Sequence, residues 1–239
     1  MGKFAEYSQG TFSCLIFDRF GGVSTGPYGE LNFADYVGDD PKNVVQNLAV
    51  AQSSMHASDL AVMNAEHGVR VHHVKAGGLC PPADILICQS PNIALLALSA
   101  DCVTFTIVDT SSGVCLVAHS GWRGLAQDIV KVALHNFVDS GGQLSSSIAV
   151  VGPAICGECY QVDAERVGAV SQFVPQAVVD ETHLDIAAGV QAQLQNVVSQ
   201  VIRYSECNFE NESLFSYRRA AGSSTGRGGM AVMLSEAGA

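Results

Sequence analysis

Three side chains in this sequence could do chemistry from the ends of buried strands: His67, Cys102 and His119. The apolar run Ile93 to Leu98 ends in Ser99-Ala100-Asp101-Cys102, an acid followed by a thiol. A second apolar run from Val114 ends in His119-Ser120-Gly121-Trp122-Arg123-Gly124, which reads as a histidine, a tight turn and the start of a helix. His67 follows a third strand-like run, in Glu66-His67-Gly68. Reactive groups gather at strand ends because the strand is rigid while its last residues face a cleft. A thiolate and two imidazoles suit zinc, and three protein ligands leave the fourth position open, as in catalytic sites. Such an ion lowers the pKa of a bound water to about 7. The spacing alone leaves other readings open. No HExxH and no paired CxxC is present, and a single cysteine or histidine is more often packed than ligating. Cys102 and His119 would also serve as a nucleophile and its base.

Other candidates are weaker. Cys156-Gly157-Glu158-Cys159 is one CxxC without a second pair, which argues against a zinc ribbon. A thioredoxin-type role needs a helix N-terminus at the first cysteine, and Pro153 just upstream suggests a loop. His72 and His73 fall on a predicted strand, where adjacent side chains point to opposite faces and cannot share a metal. His56, His135 and His183 read as surface or helix residues. Arg218-Arg219 and Arg227, in a glycine-rich stretch, are either solvated charge or an anion clamp. Arg123, between Gly121 and Gly124, is placed to meet an anion.

The elements that must position these residues follow from periodicity. Thr11 to Phe17 is β-prone and stops at Asp18-Arg19. Residues 21–29 are too glycine-rich for helix or strand and form a loop. Asp40-Pro41 reads as an N-cap with proline at the first helical position, and the helix runs to about Ser54. Short strands are predicted at Ala61–Met63, Val69–Val74, Ile85–Cys88, Ile93–Leu98, Phe105–Val108 and Val114–Val117. Several are continuously apolar, the pattern of strands covered on both faces. Leu125 to Val138 has helical spacing and is followed by Gly141-Gly142. Ile148–Val151 is another strand, a long helix is predicted from Ile186 to Ile202 behind Asp185, and a last strand lies within Met230–Leu234. Strands in the middle with helices around them predict an α+β fold, a mixed sheet core flanked by helices. No linker divides the chain, so residues 1–239 are expected to form one domain.

Bulk properties bound the function. Hydrophobic residues make up 48% and charged residues 15%, which requires a large core and excludes disorder. A net charge of −11 repels nucleic acid and anionic lipid, so neither is expected as a partner. An anionic substrate would need a local group of arginines. The eight cysteines sit in a chain too long and core-rich for a disulfide scaffold. Residues 1–10 carry no signal-peptide pattern, and no apolar run reaches membrane-spanning length. A reduced cytoplasmic protein, monomeric and acting on a small molecule, is the expectation.

The motifs also resemble a known family. Gly21-Gly22-Val23-Ser24, Pro27-Tyr28, Leu31-Asn32 and Val37-Gly38-Asp39-Asp40-Pro41 open the match. It continues through His67-Gly68, Ala100-Asp101-Cys102, Ala118 to Gly124, Gly152-Pro153-Ala154-Ile155 and Cys159-Tyr160, and ends with Phe215 to Arg219 and Gly226-Arg227. In this order they resemble the YfiH-like proteins, also called laccase-domain or multicopper polyphenol oxidase proteins and peptidoglycan editing factors. The resemblance spans nearly the whole chain. It implies α/β/β/α-like layers and one zinc ion held by His67, Cys102 and His119. It also implies purine nucleoside chemistry: phosphorolysis of adenosine, inosine, guanosine and methylthioadenosine, and adenosine deamination. Arg19, Asn32, Arg123 and Arg227 are then the expected contacts to substrate or phosphate. The alternative is a cytoplasmic amidase or cysteine hydrolase that removes a misincorporated serine from a peptidoglycan precursor. The older label suggests a copper polyphenol oxidase, but seven histidines without any HxH pair do not supply a trinuclear cluster. Copper is therefore disfavoured. The chain departs from the family pattern at Ala65, where glutamine is common, at Thr104, where proline is usual, and at Ser120, where alanine is usual. None of these is a ligand.

Overall fold

The computed structural model describes residues 2–236, so the ends of the 1–239 range lie outside the description. In chain order the elements begin with β1 (Lys3–Gln9), β2 (Phe12–Phe17), α1 (Pro41–Ser54) and β3 (Asp59–Asn64). Next come β4 (Val71–Val74), β5 (Gly78–Pro82), β6 (Ile85–Cys88), β7 (Ile93–Ser99), β8 (Val103–Asp109) and β9 (Val114–Ser120). Then follow α2 (Trp122–Leu125), α3 (Ile129–Asp139), β10 (Ile148–Val151) and α4 (Ala164–Ser171). The chain closes with β11 (Val178–Asp180), β12 (His183–Leu184), α5 (Ile186–Leu194), β13 (Gln200–Arg203) and β14 (Gly228–Leu234).

The strands make two mixed six-stranded sheets, in the orders β1-β2-β14-β7-β3-β5 and β13-β10-β8-β9-β6-β4, and β11 with β12 forms a small ribbon. The sheets pack face to face: Cys14, Leu95 and Val232 of the first meet Leu86, Val117 and Val150 of the second in one apolar layer. The outer face of the second sheet is covered by Leu125, Ile129, Phe137, Val170 and Val190 from the helices, and that of the first by α1 and the Leu31–Ala34 segment. The layers are thus α/β/β/α, in an α+β fold. Every residue of β8 and β9 is buried. That is why those segments read as unbroken apolar runs rather than alternating ones.

Local chemistry sets most boundaries. The Asp40 carboxylate accepts the Lys42 N–H at 2.9 Å and Pro41 opens α1, as the sequence predicts. Two helices differ from expectation. The predicted 125–138 helix breaks at Asp128, whose φ of 59° is left-handed, leaving α2 and α3 as separate pieces. The predicted 186–202 helix stops at Leu194. Asn196 adopts φ 67°, a common helix stop, and the β-branched residues after it leave the helix. Gln200–Arg203 becomes β13, paired in parallel with β10. Apolar residues at helical spacing there serve a strand, since Val201 and Ile202 gain a sheet neighbour.

Candidate active site

Topology brings the three candidate ligands to one edge. β3 and β7 are parallel neighbours in the first sheet, with Asp59 opposite Ile93, so both run out at the same end. Each then crosses to the second sheet: 65–70 leads from β3 to β4, and 100–102 leads from β7 into β8. His67 and Cys102 lie on these crossings. β9 runs antiparallel to β8, placing His119 opposite Thr104 and beside the start of β8. Nitrogen and sulfur atoms of His67, Cys102 and His119 therefore fall within 4.8 Å of one another. The two imidazoles meet edge to face, with centroids 5.0 Å apart.

The crossings require uncommon backbone. His67 has φ 63° and Asp101 φ 99°, both left-handed and both non-glycine. Such conformations cost of the order of 1–3 kcal/mol each and persist only where the surroundings enforce them. Asp84, fully buried just before β6, supplies part of that enforcement. Its carboxylate accepts the backbone N–H groups of His67 at 3.0 Å and Gly68 at 2.7 Å. The same carboxylate holds His119 Nδ1 at 3.0 Å, while the Asp84 carbonyl accepts the His119 N–H at 2.9 Å. With Nδ1 engaged, Nε2 is the ring nitrogen left for Cys102 or a metal. Sequence reasoning missed Asp84, because a lone acid between Ala83 and Ile85 carries no pattern.

The electrostatics follow from this packing. Burial alone would raise the Cys102 thiol, but His119 and His67 outweigh it and bring the pKa down to about 6. Burial would lower His119, yet the Cys102 and Asp84 charges lift it to about 9. At neutral pH the metal-free centre is thus a thiolate–imidazolium pair oriented by a carboxylate. The donor set fits zinc: one sulfur and two nitrogens converge, and an acid orients one imidazole from behind, the usual arrangement for a metal-bound histidine. Gly121 permits the approach, since a Cβ there would stand 3.0 Å from Cys102 Sγ.

A cavity of about 590 Å³ opens over the centre. Its walls include Tyr36, Trp122, Tyr160 and Tyr217, together with Arg166, Arg218 and Arg227. Arg166 lies over the Trp122 ring, Arg218 over Tyr160 and Arg227 over Tyr217. Asp101 also lines the cavity. Its Oδ2 accepts the Arg218 N–H at 2.7 Å, whereas its buried Oδ1 has no hydrogen-bond partner among the described residues. Burial pushes the Asp101 carboxyl above its ordinary value.

Of the expected substrate contacts, Arg227 lines this cavity. Asn32 is fully buried behind it, and its Oδ1 accepts the Arg227 backbone N–H at 2.8 Å. Arg19 is elsewhere: it stacks on Phe215, donates to the Gly29 carbonyl, and lines a separate cavity with Arg219. Arg123 is exposed beside Trp122 and does not line the cavity. Arg219 is spent on backbone carbonyls, including Phe209 at 3.0 Å and Asn211 at 3.3 Å. Arg166 and Arg218 line the cavity, and Arg19 and Arg123 do not. Arg166 gave no motif, because its place in the cavity wall depends on how α4 packs beside Trp122.

These features place the chain in a class: a layered α+β protein with an acid-buttressed Cys/His centre under an arginine- and aromatic-lined cavity. The chain belongs to the YfiH-like family, whose family model, described as multi-copper polyphenol oxidoreductase laccase, matches residues 13–235. It is 37% identical over 212 residues to a protein of Streptomyces coelicolor named purine nucleoside phosphorylase, covering 84% of this chain and 88% of that one. A protein from an unknown prokaryotic organism, named adenosine deaminase RL5, is 28% identical over 216 residues, 80% of this chain and 82% of its own. The crystal structure of a Neisseria meningitidis protein of the DUF152 family superposes with a TM-score of 0.85 at 25% identity, over 98% of this chain and 100% of that chain.

Proposed function

We propose that this chain is a zinc-dependent purine nucleoside enzyme that carries out phosphorolysis and deaminates adenosine at the same centre. The observation that carries the reading is the union, in one cavity, of the His67–Cys102–His119 donor set with three arginines and four aromatic rings. The names of the relatives support it. A cavity of this volume suits a nucleoside.

His67, Cys102 and His119 would hold zinc, which supplies Lewis acidity at its open position. The rest of the chemistry belongs to the chain. Tyr160 and Tyr217 offer ring faces to a purine. Arg218 and Arg227 bind phosphate through paired N–H groups and orient an oxygen toward the anomeric carbon. As that oxygen bonds to the ribose, the glycosidic C–N bond breaks and its electrons pass to the purine. Asp101 lines the same cavity with a carboxyl that burial pushes above its ordinary value, and it would pass a proton to the departing base. Asp84 fixes the His119 tautomer throughout.

The test is incubation of purified protein with adenosine, with and without phosphate, followed by chromatography for adenine, ribose 1-phosphate and inosine. Adenine formation should require phosphate, and all products should vanish in Cys102→Ala. Turnover that survives in Cys102→Ala would end this reading.

One observation favours a second reading. The Cys102 thiolate, the His119 imidazolium and the Asp84 carboxylate also form a nucleophile, a proton donor for the leaving group and an orienting anion. A cysteine hydrolase, such as an amidase acting on a seryl peptidoglycan precursor, would use them without metal. It would keep turnover after exhaustive chelation, whereas the zinc enzyme loses it. A copper oxidase has less support. His56, His72, His73, His135 and His183 fall in neither of the two potential ligand groups among the described residues.

A further inference from the structure

The cysteines outside the active site are not all packing residues. Cys14, Cys80, Cys88 and Cys115 are buried among apolar side chains of the inter-sheet layer. Cys156, Cys159 and Cys207 instead converge at the surface. Their sulfurs and a Glu210 carboxylate oxygen all lie within 4.8 Å of one another. Two distant segments build the group. Ala154 and Cys207 form a parallel bridge, and the Asn208 N–H donates to the Ala154 carbonyl at 3.0 Å. The Cys156 N–H donates to Cys207 Sγ at 3.3 Å. Cys156 and Cys159 are turned to one side by a tight loop in which the Cys159 N–H reaches the Cys156 carbonyl at 3.1 Å.

We propose that Cys156, Cys159 and Cys207, with Glu210 closing the set, form a second metal site that binds zinc or a similarly thiophilic divalent cation. Ligands about 2.3 Å from a tetrahedral zinc stand about 3.8 Å apart, so the observed grouping needs only a small contraction. Three sulfurs select a soft cation over magnesium or calcium. Glu158 and Glu206 share the rim of the adjoining open cavity, and their charge favours a cation there. On binding, each cysteine thiol releases its proton to solvent and donates a sulfur lone pair.

The position gives the ion a task. Cys159 is followed by Tyr160, and the Arg218 guanidinium donates to the carbonyls of Cys159 at 3.4 Å and Gln161 at 2.9 Å. The Ile155 N–H donates to the Asp101 carbonyl at 2.9 Å. A cation that ties the 156–159 loop to Cys207 therefore braces one wall of the active-site cavity without touching it.

The test isolates this site from the other. Full-length Cys102→Ser protein, reduced and stripped of metal, is titrated with Co²⁺ and read by thiolate-to-cobalt charge-transfer absorption. About one equivalent should bind with a strong tetrahedral, thiolate-rich spectrum, and zinc should displace it. Adding Cys207→Ser should abolish the band. Because Cys207 is buried, Cys159→Ser is tested alongside, with circular dichroism to confirm folding; it should also lose the band. Unmutated protein should bind about two equivalents of zinc, and the Cys159→Ser variant of it about one. Absence of the band in Cys102→Ser protein, or its survival in folded Cys159→Ser and Cys207→Ser variants, overturns the proposal. So does finding these cysteines joined as a disulfide by thiol counting on the protein as isolated. Failure of zinc at the His67 centre would instead remove the other equivalent and leave this band intact.

Discussion

Asp84 joins the 65–70 crossing to the end of β9: it holds the backbone at His67 and Gly68 and the side chain at His119. Replacing it with asparagine keeps the shape but removes the charge. Loss of such an outer partner typically lowers metal affinity about 10–100-fold, and competition against a chromogenic chelator should show a drop of that size in Asp84→Asn. The metal-stripped protein gives a second readout. With its pKa near 6, Cys102 is largely thiolate at neutral pH, so its alkylation rate should rise through about pH 6 rather than near the ordinary thiol value of 9. Removing the Asp84 charge lowers the His119 pKa, so less imidazolium faces the sulfur, and the alkylation midpoint should move upward in Asp84→Asn. An unchanged midpoint would mean that the carboxylate does not act through His119. Cys102 and His119 were legible in the sequence because each ends an apolar run, and His67 because it follows one. Their union into a donor set rested on the family resemblance. Asp84 was not legible, since its role comes from a register that sets Ile85 opposite Ala118 and brings two strand ends together.

At the scale of elements, the site depends on where strands stop and cross. Gly121, between β9 and α2, leaves room for Cys102 Sγ, and the same Cβ would stand 3.4 Å from His67 Cδ2. Gly121→Ala should therefore push two ligands apart and weaken metal binding, while thermal unfolding shifts little, since the turn's φ of −92° suits alanine. A variant that binds metal as well as the parent would show that the ligands relax freely around the methyl group. The strands that mattered were readable: β6, β7, β8 and β9 are buried on both faces and appear as apolar runs. Less visible were β1, an exposed edge strand of mixed polarity, and β5, which contains two prolines. The 186–202 misreading has a physical source. Val197, Val198, Val201 and Ile202 fit a helical stripe by spacing, but β10 offers an open edge in register, and pairing there outcompetes a helix already ended at Asn196. Helix α1 was the converse case, with its start fixed by local chemistry at Asp40.

For the whole molecule, the question is how a chain of net charge −11 would admit the proposed phosphate. The acidic surface disfavours phosphate at long range, but beyond about 8 Å that field is screened at physiological salt. Close to the cavity three arginines dominate, each lying over an aromatic ring that orients its guanidinium. Arg218 is tied further by its bonds to the Cys159 and Gln161 carbonyls, so little rotamer entropy is lost when it meets a ligand. Under the phosphorolysis reading, removing one such clamp costs a charge-assisted hydrogen-bond pair, worth about 1.5–3 kcal/mol, equivalent to roughly 10–150-fold in phosphate affinity. Arg227→Met should therefore raise the KM for phosphate by that order and leave the KM for adenosine nearly unchanged. Arg123→Met, on an exposed side chain outside the cavity, should leave both within about twofold. Arg19→Met should lower stability through its lost contact with Phe215 and the Gly29 carbonyl while leaving phosphate binding intact. Steady-state kinetics with each substrate varied in turn separates the three variants. If Arg19 or Arg123, rather than Arg227, controls the phosphate KM, then phosphate enters from another side and the cavity above Cys102 is not its binding site.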